Sequence, residues 1–297
     1  KNIVMPWSNT WFWLSNLGFI VCTSLLSGFY PALYLSSFNP IKALKGTFRV
    51  GRLASVPRKV LVVFQFSISV ILIVGTIVVN QQIQYAKNRP VGYNREGLMM
   101  INKKTSDFKG KYEVLRNELK NTGAVYEVSE AMGPVTEIYS GNSGWDWKGR
   151  DPQIDKGFST LSVSHLHGKT VGWQFVKGRD FDINLPSDSS GIVINESALQ
   201  FMNLQDPIGE PVSWTWWSDK SRVLNYKILG VIKDMVMDSP YAPTQPTIFY
   251  LKGHNGNPSW VHIKINPHVS VSEAMPKIES VFKKIMPTVP FDYKFAD

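Results

Sequence analysis

Two long runs without a charged side chain constrain this chain most strongly. No Lys, Arg, Asp or Glu lies between Lys1 and Lys42, and residues 60–79 form a second uncharged run of 20 residues. An α-helix rises 1.5 Å per residue, so about 20 apolar residues cross a hydrocarbon core about 30 Å thick. Buried core helices are the alternative, but helices of soluble proteins average only about 11 to 12 residues. The sequence therefore predicts transmembrane helices at residues 10–35 and 60–80.

The net charge of +9 is concentrated at one end of the chain. Residues 1–59 hold seven Lys or Arg and no acidic residue, whereas the rest of the chain has 25 basic and 23 acidic residues. A nearly neutral remainder without a basic stripe excludes nucleic acid as a partner. The connector at residues 36–59 carries Lys42, Lys45, Arg49, Arg52, Arg58 and Lys59. Because positively charged loops stay inside, we expect this connector in the cytoplasm and residues 1–9, with everything after about residue 80, on the outer side.

The chain after the second run has the composition of a globular α+β body. Residues 81–95 are polar and lack a helix breaker before Pro90, so they are expected to extend the second helix as a stalk. The order strand, helix, strand is expected at residues 96–132 and again within residues 227–297, with residues 133–226 as an inserted β-rich subdomain. The last helix begins either at the Ser270–Glu273 capping box or at Ser272, which would bring Pro276 closer to the helix start.

Two motifs with a nucleotide-like or metal-like pattern lack an essential residue. Residues 168–170 read Gly-Lys-Thr, but Val163 occupies the position of the first Gly of a phosphate loop. His165 and His167 would share one face of a strand and could hold a metal, yet no third ligand has a recognisable spacing. Ordinary strand residues are the favoured interpretation of this pair.

A third motif imitates a calcium loop. Asp180, Asp182 and Asn184 have the right spacing, but Leu185 stands where the tight-turn Gly belongs and Gly191 where the bidentate Glu belongs. No Ser/His/Asp or Cys/His set can be assembled either. The sequence thus predicts no metal, no cofactor and no enzymatic activity.

Tryptophans occur in pairs at strand spacing. Trp145 with Trp147, and Trp214 with Trp216, would each share one face of a strand. Such faces could stack on a sugar, lipid or peptide, while packing in a core is the favoured alternative.

Several ordered segments together resemble a known family, the FtsX/MacB-type ABC transporter permeases, in the form common in Bacteroidetes. The membrane part is similar in "GFYPALYLSSFNPIKALKG" and "RKVLVVFQFSISVILIVGTIVVNQQIQYAKNRPVGYN". The body is similar to the MacB-like periplasmic core domain in "GWQFVKGRDF", "GIVINESALQFMNLQDPIGE", "YKILGVIKDM" and "PTVPFDYKFAD". The match covers nearly the entire chain.

The resemblance implies a type VII ABC system in the bacterial inner membrane. In such systems the permease binds a cytoplasmic ABC ATPase and transmits its motion to a periplasmic domain, made of a porter-like split β-α-β part and an inserted sabre-like part. It also implies membrane lipid around the helices, pairing of permease halves, and a periplasmic adaptor or cargo. The expected contact with the ATPase is the start of the basic connector: Asn39, Pro40, Ile41, Lys42, Ala43 and Leu44. No nucleotide-binding domain is present in this sequence, so the ATPase is expected on another polypeptide or upstream, and the chain is expected to be a fragment.

Two other functions remain open at this point. A membrane-anchored sensor would bind a ligand outside and signal through a cytoplasmic partner. An anchored carbohydrate-binding module is favoured only by the tryptophan pairs. Among transporters, efflux, lipoprotein release and envelope signalling are not distinguished.

Overall fold

The computed structural model describes residues 10–36, 56–151, 153, 157–216, 219–239, 241–251 and 258–296. The chain divides into two compact units, Lys1–Asn80 and Gln81–Asp297. The helices are α1 Thr10–Ser36, α2 Val56–Asn88, α3 Tyr112–Asn121, α4 His167–Val171, α5 Glu196–Met202 and α6 Val271–Ile285.

The first unit contains α1 and most of α2, which have 27 and 33 residues. Thr10–Phe29 and Lys59–Ala86 are long and apolar enough to cross a membrane, and neither stretch is buried by the protein. Large apolar side chains such as Phe64 and Ile71 are 62% and 68% exposed. Because water disfavours so much exposed apolar surface, these helices are candidate membrane spans. The predicted stalk is helical only as far as Asn88.

The second unit is built on one continuous mixed sheet. Its strands are β1 Leu98–Asn102, β2 Val125–Ala131, β3 Gly141–Asn142, β4 Trp145–Trp147, β5 Phe158–Val163, β6 Phe175–Gly178, β7 Gly191–Asn195, β8 Pro211–Trp216, β9 Asp219–Ile232, β10 Thr247–Leu251, β11 Trp260–Ile265 and β12 Tyr293–Phe295. Within the described residues their order is β12-β1-β11-β2-β5-β10-β7-β9-β8-β4, with β3 beside β5 and β6 beside β9. The predicted mixed α/β body is therefore present.

Two β-α-β units interleave at one end of this sheet. The strands β1 and β2 are joined through α3, and β11 and β12 through α6. In the order β12-β1-β11-β2 all neighbours are antiparallel, so each unit's two strands are separated by one strand of the other. Leu115 and Leu119, four residues apart on α3, are buried against this sheet with Ile278 and Phe282 of α6.

The last helix begins at the capping box and not at Ser272. The Ser270 side chain accepts a hydrogen bond from the Glu273 amide at 3.3 Å, and the helix starts at Val271. Pro276 is thus inside the helix, where it cannot donate to the carbonyl of Ser272. Both residues lie on the exposed face, where water can satisfy that carbonyl.

The division of the body at residues 132/133 and 226/227 stays a prediction. The strand β9 runs across the second boundary, from Asp219 to Ile232. The strand β10, expected on the far side of that boundary, pairs with β5 and β7 of the insert. The sheet continues from β2 to β5 through the single pair Ala131 and Val163.

Candidate functional site

The predicted ATPase-contacting segment, Asn39 to Leu44, lies outside the described residues. The same holds for most of the basic connector at residues 36–59. The coupling role of this segment therefore stays a prediction. The structure describes α2 and the body, and the other candidate residues of the sequence all lie in the body.

The tryptophans form part of a core and not an open stacking surface. Trp145, Trp147 and Trp214 are 2%, 8% and 3% exposed. The rings of Trp145 and Trp214, on the paired strands β4 and β8, stack at 4.9 Å between centroids with only 5° between their planes. Trp216 is partly exposed, with the Arg222 guanidinium 5.2 Å from its ring. Core packing is thus confirmed for the three buried rings.

The two candidate histidines do not share a strand. His165 lies in the turn after β5, and His167 is the first residue of α4, where its amide donates to the carbonyl of Ser164 at 3.0 Å. The chain turns here because the α4 residues bury one face against β2 and β11. The interpretation as ordinary strand residues is therefore wrong. No group of three or more His, Cys, Asp or Glu in the described part of the chain could hold a metal.

His167 instead lies against a histidine that the sequence does not single out. Its ring is 5.0 Å from that of His262 on β11, nearly perpendicular to it, and both residues are fully buried. His167 Nδ1 is 3.1 Å from the Ser129 hydroxyl oxygen. Burial lowers the pKa of His262 to about 3, and burial together with the neighbouring His262 lowers the pKa of His167 well below its usual value. Both imidazoles are accordingly neutral at pH 7.

The calcium-like loop is closed by an ion pair. Arg179 donates to both oxygens of the Asp188 carboxylate, at 2.6 and 2.8 Å, and the Asp182 amide donates to the same carboxylate at 2.8 Å. The Arg179 hydrogen bonds lower the pKa of Asp188. Asp182 accepts from the Asn184 amide at 2.9 Å in a local turn. The Asp182 and Asp188 carboxylates are therefore engaged in hydrogen bonds within the loop. Burial raises the pKa of the neighbouring Asp180 to about 6.

A buried glutamate on β2 joins two helices to the sheet. The Glu127 carboxylate accepts from Arg116 at 2.9 Å and Lys120 at 3.0 Å, both on α3, and Lys169 of α4 is 3.3 Å away. Burial raises the pKa of Glu127, but the hydrogen bonds from Arg116 and Lys120 outweigh it and lower the pKa to about 2. The cluster therefore links α3 and α4 to β2 through ion pairs with one buried carboxylate.

A cleft of about 570 Å³ lies where β1 and β2 end and α3 begins. Its lining includes Lys103 and Glu130, whose side chains form a largely buried ion pair at 2.5 Å, together with Phe108, Tyr112 and Pro258.

No family model and no curated protein matches this chain. Among solved structures it is similar to the periplasmic region of MacB from Actinobacillus actinomycetemcomitans, with 14% identity and a TM-score of 0.45 over 67% of this chain and 87% of that one. It is also similar to the extracellular domain of the noncanonic ABC-type transporter YknZ from Gram-positive bacteria, with 12% identity and a TM-score of 0.44 over 67% of this chain and 99% of that one. A domain of a permease protein from Porphyromonas gingivalis has 13% identity and a TM-score of 0.39, over 57% of this chain and 68% of that one. The first two are the periplasmic or extracellular parts of their proteins.

Proposed function

We propose that the chain is the permease part of an ABC transporter in the bacterial inner membrane. In this proposal α1 and α2 cross the bilayer, the basic connector binds a cytoplasmic ATPase, and α2 passes ATP-driven motion to a MacB-like periplasmic body. The porter-like and sabre-like division of that body belongs to the proposal. In this proposal the ATPase is a separate partner subunit.

The observation that carries the proposal is the length and character of α2. At 1.5 Å per residue, its 33 residues extend about 50 Å, whereas a hydrocarbon core is about 30 Å thick. Its apolar stretch ends at Ala86, and the compact unit that contains the sheet begins at Gln81. One unbroken helix therefore supplies both a candidate span and the first residues of the body. A backbone without a kink-forming Pro or loop between them is suited to transmit a displacement.

The carbohydrate-binding alternative loses the observation that favoured it, because Trp145, Trp147 and Trp214 are in the core. The sensor alternative predicts a signalling partner in place of an ATPase.

Purification of the full-length protein from membranes, followed by identification of a co-purifying nucleotide-binding subunit, tests the proposal. Recovery of a kinase or of no nucleotide-binding subunit would contradict it.

Within this proposal, Leu44→Asp is expected to uncouple the ATPase. A charged side chain at an apolar contact is left desolvated without a partner, which costs several kcal/mol. ATP turnover of the reconstituted complex should fall by about tenfold or more, while membrane insertion is unchanged because the substitution lies outside the spans. Thr47→Asp introduces the same charge three residues away and is the matched control. Equal turnover in Leu44→Asp and the unsubstituted protein would exclude the coupling role of this segment.

A further inference from the structure

The last turns of α2 make side-chain contacts with a distant turn of the body. The Tyr241 hydroxyl donates to the main-chain carbonyl of Gln82 at 3.0 Å. The Tyr241 ring also stacks on Tyr85, with 6.2 Å between centroids and 22° between planes. Arg89 donates a weaker hydrogen bond to the carbonyl of Ala242, at 3.5 Å. Gln82 and Tyr85 are three residues apart on α2 and so lie on one face of the helix, and Arg89 directly follows its last residue, Asn88.

The turn that carries Tyr241 is anchored in the body. The Ala242 amide donates to the carbonyl of Ser239 at 3.1 Å. A few residues later, the carbonyl of Gln245 accepts from the Asn195 side chain at 2.9 Å. Asn195 is the last residue of β7 and caps α5 through the Ala198 amide at 3.0 Å. The chain that follows Tyr241 is therefore tied to the middle of the sheet four residues later, at Gln245.

The chain just after α2 is attached to the same region in a different way. The Val236 amide donates to the carbonyl of Val91 at 3.0 Å. At Gly92, which has a φ of +76°, any side chain would collide with the carbonyl oxygen of Asp234. This backbone contact is close and permits little movement. The Tyr241 contact differs from it because Tyr85 and Tyr241 are 59% and 60% exposed and can separate without opening the core.

We propose that Tyr241 is a positioning residue that fixes the rotation of the α2 end relative to the body, and that it carries movement of the helix into Ala242 and the residues that follow. This inference rests on the proposed function for its source of movement. A rotation of α2 by one residue, about 100°, would turn the contact face away from Tyr241 and break the hydrogen bond and the stack together. The backbone contact at Gly92 would then act as the pivot, and Tyr241 as the point where the displacement is transferred.

The first test needs no ATPase. Hydrogen exchange is measured on the full chain in lipid nanodiscs for the unsubstituted protein, Tyr241→Ala and Tyr241→Phe. In Tyr241→Ala the amides of residues 83–89 should exchange about 2- to 10-fold faster, because a hydrogen bond and a ring contact are lost. Tyr241→Phe keeps the ring and should give an intermediate increase. Tyr126→Ala, another half-exposed tyrosine of the body at 46% exposure, is the control and should leave these amides unchanged. Unchanged exchange in Tyr241→Ala would overturn the inference.

The second test uses the complex with the co-purified ATPase. Exchange at residues 241–247 is compared with and without ATP, beside the rate of ATP hydrolysis. The inference expects an ATP-dependent change in the unsubstituted complex that is lost in Tyr241→Ala while hydrolysis continues. Persistence of the change in Tyr241→Ala would overturn the role of Tyr241 and leave the proposed function standing. A failure of the proposed function is seen separately, as the absence of any nucleotide-binding partner.

Discussion

Trp145→Ala is expected to destabilise the body by about 3 to 5 kcal/mol, the range for truncation of a large aromatic residue in a core. Trp145 is 2% exposed and packs against Trp214, Phe158 and Tyr226, with centroid distances of 4.9, 6.3 and 5.8 Å. Alanine would leave a cavity between β4 and its neighbours that this aromatic packing cannot close. Pulse proteolysis of the full chain in urea, which digests the unfolded body, measures the shift in midpoint.

A matched variant keeps an aromatic ring at this position. The Trp145 indole nitrogen has no hydrogen-bond partner among the described residues. Trp145→Phe removes that nitrogen and keeps an aromatic ring against Trp214, so its loss of stability should be clearly smaller than that of Trp145→Ala. An alanine variant as stable as the unsubstituted protein would mean that the ring is not in the core, and would restore the stacking-surface interpretation.

Acidification below pH 6.5 is expected to destabilise the body through His167 and His262. Both imidazoles are buried, and their pKa values are lowered in the folded protein, that of His262 to about 3. In the unfolded chain they protonate near pH 6.5, so the unfolded state binds more protons as the pH falls from 6.5 towards 3. His262 therefore removes about 1.4 kcal/mol of stability per pH unit in this window, and its contribution is fully present above pH 6.5. The lowered pKa of His167 acts in the same direction.

One carboxyl group has the opposite effect. Burial raises the pKa of Asp180 to about 6, so the folded protein binds a proton there that the unfolded chain binds only near pH 4. Between pH 6 and 4, protonation of Asp180 therefore stabilises the folded protein as the pH falls. The gain in stability per pH unit is about equal to the loss caused by one buried imidazole. A comparison of variants at each pH is consequently more informative than the pH dependence of the unfolding free energy of the unsubstituted protein alone.

His262→Phe is the variant that isolates the histidine contribution. Neither ring nitrogen of His262 has a hydrogen-bond partner in the described part of the chain, so phenylalanine removes a titrating group without breaking a bond. Urea unfolding measured between pH 7.5 and 4.5 should show, below pH 6.5, a dependence of stability on pH that is weaker by about 1.4 kcal/mol per unit than in the unsubstituted protein. His268→Gln changes an exposed histidine and should leave the dependence as it is. If stability fell equally with pH in His262→Phe and in the unsubstituted protein, the account of the buried histidine pair would be contradicted.

Much of the local structure follows from the sequence because apolar spacing determines it. The uncharged run at residues 60–79 lies within α2, and Leu115 and Leu119 are the buried residues of α3. The strand Gly191–Asn195 is fully buried, as its continuous apolar run predicts. In each case the pattern lies within one element and needs no information about distant residues.

The arrangement of charged and polar side chains could not be derived in this way. His167 meets His262, and Glu127 meets Lys169, because the strand order brings together segments far apart in the sequence. Arg179 and Asp188 are only nine residues apart, but their ion pair depends on how the loop between them folds back. Of these residues, only Glu127 could have been found from the sequence, because it is an acidic residue within the predicted strand "VYEVSEA". Tyr241 and Gln82 are 159 residues apart in the sequence, and no short motif predicts their contact.

The central claim is that the connector and the body lie on opposite sides of a membrane, and single-cysteine labelling tests it most directly. Cys22 is the only cysteine, so Cys22→Ser provides a cysteine-free background. Lys45→Cys then marks the connector, and Asn117→Cys marks the exposed surface of α3 in the body. In intact spheroplasts a membrane-impermeant maleimide should label Asn117→Cys at once and Lys45→Cys only after permeabilisation. Labelling of Lys45→Cys in intact spheroplasts with protection of Asn117→Cys would contradict the account.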